Sequence, residues 1–172
     1  FLEERGLIDD TMIVFTSDHG DYLGDHWMGE KDLFHDQSAR IPLIVIDPSR
    51  EADATRGSVC DALVEGIDLA PTFIEYFGGT PPDHILEGRS LMPLLHGEKP
   101  AWRKVLFSEY DYSMQDVRLK LHQPIEQCRL FMVFDGRWKY IHASGFRPML
   151  YDLESDPDEF TDRGEDPACA DI

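Results

Sequence analysis

Two short apolar runs, Met12 to Ser17 and Ile41 to Ile46, flank a long polar segment, and this arrangement limits what the chain can become. Ile13, Val14 and Phe15 form the heart of the first run. A continuous apolar run this short reads as a strand buried on both faces, as in a parallel sheet. Before it, Phe1-Leu2-Glu3-Glu4-Arg5-Gly6 reads as the last turn of a helix closed by a glycine, and Gly20 follows it, so an αβ unit is expected. With no initiator methionine, residues N-terminal to Phe1 are expected in the native protein. The segment 18–40 carries Gly20, Gly24 and Gly29 and three of the seven histidines. Structureless connections of that length in compact domains are usually functional, which predicts a long ordered loop. The second run ends at Asp47-Pro48.

Further on, residues 57–66 suggest another extended segment. Leu69, Ala70, Phe73, Ile74 and Phe77 fall at helical spacing, with Asp68 as the expected cap, Pro71 in the first turn and Gly78-Gly79 at the end. After Gly79 the pattern changes. A short helix is expected over 90–96 and a strand over 104–109. Leu130 to Phe134 and Arg137 to His142 flank Asp135-Gly136, a strong hairpin signal, and 149–153 suits one more strand. The expected domains are 1–78, an α/β catalytic segment, and 79–172, a subdomain with an antiparallel sheet.

Charge narrows the partners. With 16 basic against 34 acidic residues the net charge is −18, which repels phosphate backbones and anionic lipid heads. Nucleic-acid and membrane binding are not expected. An anionic ligand needs a metal ion or local cation to reverse the field. Cys60, Cys128 and Cys169 fit no zinc pattern and no disulfide framework, and the expected compartment is reducing, the cytoplasm. No signal peptide and no apolar stretch of membrane-spanning length is visible.

Asp18 and His19 stand where the first strand delivers them. Ligands of open αβ sheets bind beyond the carboxyl ends of strands. Successive strand residues face opposite ways, so both can serve one site only if the strand has ended, and Gly20 permits that turn. A carboxylate beside an imidazole offers one hard oxygen and one borderline nitrogen, suited to manganese, iron or zinc. Taken alone, Asp18-His19-Gly20 is as compatible with a capped turn and a histidine in a polar pocket. Lys31 could steady an anionic oxygen or be a solvated surface lysine. His26 and His35 could be ligands or acid–base groups, although ordinary loop hydrogen bonds are the better default.

The run Thr16-Ser17-Asp18-His19-Gly20-Asp21-Tyr22-Leu23-Gly24-Asp25-His26, then Lys31, then Arg40 to Val45, resembles the C-terminal metal-site segment of the sulfatase family, in the alkaline-phosphatase superfamily. Asp68 to Phe73, Gly88 to Leu91, Trp138 to Ile141, Leu150 to Leu153 and Asp156 to Glu159 continue the resemblance in order through nearly the whole chain. Gly24-Asp25-His26 and Gly145 to Leu150 look closest to the phosphonate monoester hydrolase branch. The implied fold is α/β: the C-terminal part of an alkaline-phosphatase-like sandwich, a mostly parallel sheet flanked by helices, plus a small α+β subdomain with an antiparallel sheet.

The resemblance implies a metal-dependent hydrolase of phosphonate monoesters, phosphodiesters or sulfate esters. It implies Asp18 and His19 as metal ligands and Lys31 as the contact to the substrate's charged oxygens. It also implies one divalent metal ion, with manganese favoured and calcium, zinc or iron admissible. Many sulfatases have asparagine at the position of His19, which favours the phosphonate or phosphodiester branch. The family's formylglycine nucleophile arises in a Cys-x-Pro-x-Arg motif that this chain lacks, so it is expected upstream, and the isolated 172 residues are expected to be inactive. The implied partner is a small anionic ester, with room left for a homo-oligomer. The other reading is a non-catalytic metal-binding or assembly protein retaining this fold. Asp152 to Arg163 is acidic like a calcium loop, but Pro157 and Arg163 occupy its sixth and twelfth positions, which rejects an EF-hand. Trp138, Tyr140, Phe146 and Tyr151 are expected to pack the small sheet rather than line a pocket.

Overall fold

The computed structural model describes all 172 residues. The elements in chain order are β1 (Ile13–Thr16), α1 (Asp36–Ala39), β2 (Leu43–Ile46), α2 (Leu69–Tyr76), α3 (Met92–Leu95), β3 (Leu106–Asp111), α4 (Asp116–Leu121), β4 (Arg129–Phe134), β5 (Trp138–Ala143) and β6 (Met149–Asp152), with several 3-10 turns between them. No helix is long and apolar enough to cross a membrane.

Contacts divide the chain into two compact units, Phe1–Asp18 with Pro42–Arg103, and His19–Ile41 with Lys104–Ile172. The chain therefore passes between units at 18/19, 41/42 and 103/104 instead of once at 78/79. The reason is the segment 19–41: Phe34 is buried in the core of the antiparallel sheet, so this loop is a member of the sheet's unit.

In the first unit β1 and β2 pair antiparallel, Ile13 with Ile46 through Thr16 with Leu43, and with no other strand. This corrects the expectation that the two strands run parallel. A short apolar run encodes burial but not direction, and a connection that returns to the neighbouring strand without crossing over pairs it antiparallel. Phe15 and Ile44 are more than half exposed. Residues 57–66 form no strand. Gly6 closes the first 3-10 turn at φ +66°, donating to the Glu3 carbonyl at 3.0 Å.

Asp68 precedes α2 but does not cap it. Its fully buried carboxylate accepts Arg103 Nη1 and Nη2, each at 2.5 Å, and the Arg89 and Glu65 amides at 2.7 and 2.8 Å. Burial alone pushes this carboxyl up, but the guanidinium and the two amides together hold it below the usual range. Thr72 Oγ1 donates to the Asp68 carbonyl at 2.6 Å and accepts the Leu91 amide at 2.8 Å, which ties α2 to the approach of α3.

The second unit is built on an antiparallel sheet of order β3-β4-β5-β6. Asp135-Gly136 makes the expected turn: Gly136 takes φ +98°, and Asp135 Oδ1 accepts the amides of Arg137 and Trp138 at 2.9 and 2.7 Å. Pleating sends Leu130 and Met132 of β4 inward, and Lys139, Ile141 and Ala143 of β5 with them. Burying each large apolar side chain stabilises by about 1.5–3 kcal/mol. Tyr151 joins this core, whereas Tyr140 and Phe146 stay substantially exposed. The outer edge of β6 is covered by the later chain: Arg163 N donates to the Leu150 carbonyl at 2.8 Å, and Leu150 N to Asp162 Oδ1 at 3.1 Å.

Candidate functional site

Asp18 lies two residues beyond the end of β1 and is exposed; Ser17 Oγ donates to its Oδ1 at 3.3 Å. His19 is half-buried, with Nδ1 2.7 Å from the Gly20 carbonyl oxygen. A carbonyl can only accept, so Nδ1 carries a proton in this bond, which leaves Nε2 as the nitrogen able to act as a ligand. A backbone carbonyl behind Nδ1 is the arrangement that orients metal-binding histidines.

The neck of the loop lies just beyond. Gly20 N donates to the Ser38 carbonyl at 2.8 Å. Any Cβ at residue 20 would collide with the Gln37 carbonyl, so only glycine fits this close approach. Ser38 is buried and its Oγ donates to the Lys31 carbonyl at 2.6 Å. One serine thus fixes the backbone beside His19 and the backbone of Lys31, whose side chain is exposed. Between them, Tyr22 N donates to the Glu30 carbonyl at 3.0 Å. Leu23, His26, Trp27 and Glu30 all hold positive φ, from 48° to 65°. Left-handed backbone at four non-glycine residues is strain that the surrounding contacts must hold.

Ser38 belongs to α1, which is fastened by buried charge. Glu159 Oε2 accepts the Asp36 amide at 2.6 Å. Lys139 Nζ lies 2.5 Å from Asp36 Oδ1 and 2.7 Å from Glu159 Oε1, and both Lys139 and Glu159 are buried. Burial raises the Glu159 carboxyl pKa, while Lys139 opposes that shift. Sequence reasoning gave Ser38, Asp36, Lys139 and Glu159 no role. The signal for Lys139 was its parity with Ile141 and Ala143, which sends it to the core face.

His35 makes an ordinary hydrogen bond, as the default reading expected, whereas His26 serves in packing and its Nε2 is buried without a hydrogen-bond partner. Their rings stack at 4.1 Å, and Phe160 and Tyr151 complete the cluster. Tyr22 OH shares a hydrogen bond with His35 Nδ1 at 2.8 Å and accepts the His35 amide at 3.3 Å. Burial, aided by His26 and Lys139, pulls the His35 pKa down to about 4. An unfolded histidine takes its proton near 6.5. Between those values the unfolded state binds the proton and the folded state does not, so stability falls as the pH drops from about 6.5 towards 4. Glu159, with its raised pKa, acts in the opposite sense, so a variant isolates the effect. In His35→Gln, the decline of urea-unfolding free energy between pH 7 and 4.5 is expected to flatten; an unaltered slope assigns the titration to another group.

Nowhere do three or more His, Cys, Asp or Glu side chains converge as a metal site. Asp18 and His19 carry one hard oxygen donor and one borderline nitrogen donor, the donor types that a divalent first-row ion takes.

Residues 24–172 match the family model described as "N-sulphoglucosamine sulphohydrolase, C-terminal". The chain is 39% identical over 176 aligned residues to the multifunctional alkaline phosphatase superfamily protein PehA of Trinickia caryophylli, covering 99% of this chain and 33% of that one. It is 31% identical to an arylsulfatase of Clostridium perfringens, covering 93% and 31%. It superposes on the phosphonate monoester hydrolase of Agrobacterium radiobacter with a TM-score of 0.87 at 36% identity, covering 97% of this chain and 33% of that structure. The chain spans about a third of the length of these relatives. The α/β fold class expected from the sequence agrees with this neighbour.

Proposed function

The chain belongs to the sulfatase family, matching the C-terminal part of its members, and from that premise we propose that it is the C-terminal portion of a metal-dependent hydrolase of phosphonate monoesters and phosphodiesters, with sulfate esters as a weaker substrate class. The observation that carries the reading is the His19 ring, held through Nδ1 by the Gly20 carbonyl directly after the Asp18 carboxylate. Asp18 supplies an oxygen ligand and His19 its Nε2. A divalent ion held there, manganese by preference, supplies Lewis-acid charge at the ester. Lys31, its backbone pinned by Ser38, places an ammonium where the transferring group accumulates negative charge. The nucleophile, a formylglycine, comes from outside these 172 residues. The phosphonate branch is preferred because an imidazole stands at position 19, and the similarity to a phosphonate monoester hydrolase points the same way.

The test is a substrate panel. The full-length protein is assayed on aryl phosphonate monoesters, phosphodiesters and sulfate esters, and its upstream cysteine is examined by mass spectrometry for conversion to formylglycine. Turnover of the first two classes above the third, with the aldehyde present, is the expected result. Metal binding without turnover of any ester would instead favour the non-catalytic reading. The isolated 172 residues should hydrolyse none of these esters, and turnover by them would refute the external nucleophile.

A further inference from the structure

The segment that carries Lys31 also walls a cavity. Met28, Gly29, Asp32 and Leu33 line one side of a space of about 670 Å³ that lies wholly within the second unit. Its floor is core: Tyr22, Tyr112, Leu130 and Ala143 are all buried. Its rim is apolar and partly exposed, with Val117 and Leu121 one turn apart on α4 and Phe146 opposite them in the chain's later part.

Of the polar groups at this cavity, Tyr110, Asp32 and Arg147 are engaged, and Gln115 and Asp116 line it as well. Tyr110 OH donates to Asp32 Oδ1 at 3.1 Å, and Arg147 Nη1 pairs with Asp162 Oδ2 at 2.5 Å. Asp32 also pushes the Tyr110 hydroxyl pKa up, in addition to burial, so that hydroxyl stays protonated and keeps its bond to the carboxylate. With Asp32 and Arg147 partnered, Asp116 is the remaining charge in the lining, and most of the surface that an entering group meets is apolar. A concave apolar space between 300 and 1,000 Å³ with a few fixed polar groups has the dimensions of a small-molecule site.

We propose that this cavity receives the organic group of the ester, an aryl or extended alkyl group, and so sets the leaving-group preference of the site. The proposal rests on the functional reading above, through Lys31. That residue sits between Gly29 and Asp32, both of which line the cavity, so an ester whose charged oxygens meet Lys31 has an apolar receptacle within a few residues of backbone. The free energy of burying an aromatic surface there favours aryl over methyl esters, because the methyl ester carries too little apolar area to use the cavity. Val117 and Phe146 are specificity-determining groups in this account and touch no reacting atom.

The experiment uses the full-length protein and two readouts. In kinetics, the ratio of kcat/KM for a 2-naphthyl phosphonate over the methyl ester should fall ten-fold or more in Val117→Asp, which puts a charge on the apolar rim, and in Phe146→Ala, which removes a wall. Leu119→Ala, an exposed residue of α4 outside the cavity lining, should leave the ratio as it is. In calorimetry, 2-naphthol alone should bind wild type saturably and bind Val117→Asp at least ten-fold more weakly. Thermal unfolding confirms that each variant is folded. A preserved kinetic ratio in both cavity variants, or equal naphthol affinity in wild type and Val117→Asp, overturns the proposal. If no ester is turned over, the functional reading fails, while naphthol binding that Val117→Asp abolishes still upholds the cavity as an aryl site.

Discussion

Asp18→Ala or His19→Ala in the full-length protein will lose bound metal and hydrolysis together, whereas Lys31→Ala will keep the metal and lose rate. The two outcomes differ because the groups are assigned different work. Asp18 and His19 are the only ligands assigned to this chain, and removing either takes a donor from a shell that the chain fills only in part. For His19 the loss is sharpened by geometry: the Gly20 carbonyl at 2.7 Å fixes which nitrogen faces outward. A neighbouring side chain cannot replace an oriented ring. Lys31 contributes charge without coordinating, so its removal should cost kcat on the order of 10²–10³-fold, as for the loss of one preorganised transition-state contact. Metal content by atomic absorption, measured beside kcat and KM for each variant, separates the roles. Full occupancy in both Asp18→Ala and His19→Ala would falsify the ligand assignment, and metal loss in Lys31→Ala would make the lysine structural.

The second large effect is on stability. Lys139→Met is expected to cost about 3–5 kcal/mol, the range for breaking a buried ion pair by removing one partner. Glu159 has no exposed surface on its side chain, so its carboxylate would be left desolvated beside that of Asp36, which is partly exposed and keeps its Arg40 partner at 3.4 Å. The deficit should depend on pH with a defined sign. The Glu159 pKa is already raised by burial and held back by Lys139. Without the ammonium it rises further, so the folded variant takes up a proton as the pH falls and the deficit shrinks on acidification. Adding Glu159→Gln should restore part of the loss, because the amide oxygen still accepts the Asp36 N–H with no charge buried beside it. Urea unfolding of wild type, Lys139→Met and the double variant at pH 7.5 and 5.5 tests this. Equal losses at both pH values, with no recovery in the double variant, would mean that packing of the lysine stem outweighs its charge.

Much of the second unit was legible in the sequence because its rules are local. Asp135-Gly136 fixes a hairpin by turn chemistry, and period-two alternation marks β4 and β5. The first unit was legible in position but not in pairing. Met12 to Ser17 announces a strand, yet no local rule says that it will lie antiparallel to β2 or that Phe15 will be exposed. Asp68 fitted a cap by position, but its carboxylate is claimed by Arg103, thirty-five residues on. At the proposed site, Asp18, His19 and Lys31 were singled out through the order of motifs, which no single tripeptide could have supplied. What escaped was their support. Ser38 is a serine in a polar stretch with no pattern to distinguish it. Lys139 reveals its burial by parity, but its partners Asp36 and Glu159 come from opposite ends of the unit's sequence, and one chain without alignment gives no means of pairing them.

The neck formed where Gly20 and Ser38 meet, with Lys31 tied to the same serine and Tyr22 bonded to Glu30, has an evolutionary consequence. Residues 23–29 become a cassette: apart from His26, whose ring stacks on His35, their side chains can drift without disturbing the anchors of His19 or Lys31. Met28 and Gly29 of that cassette face the apolar cavity. With the cavity in its proposed role, a lineage could retune which leaving groups it accepts by rewriting a few loop residues, while the anchors at the neck are inherited intact.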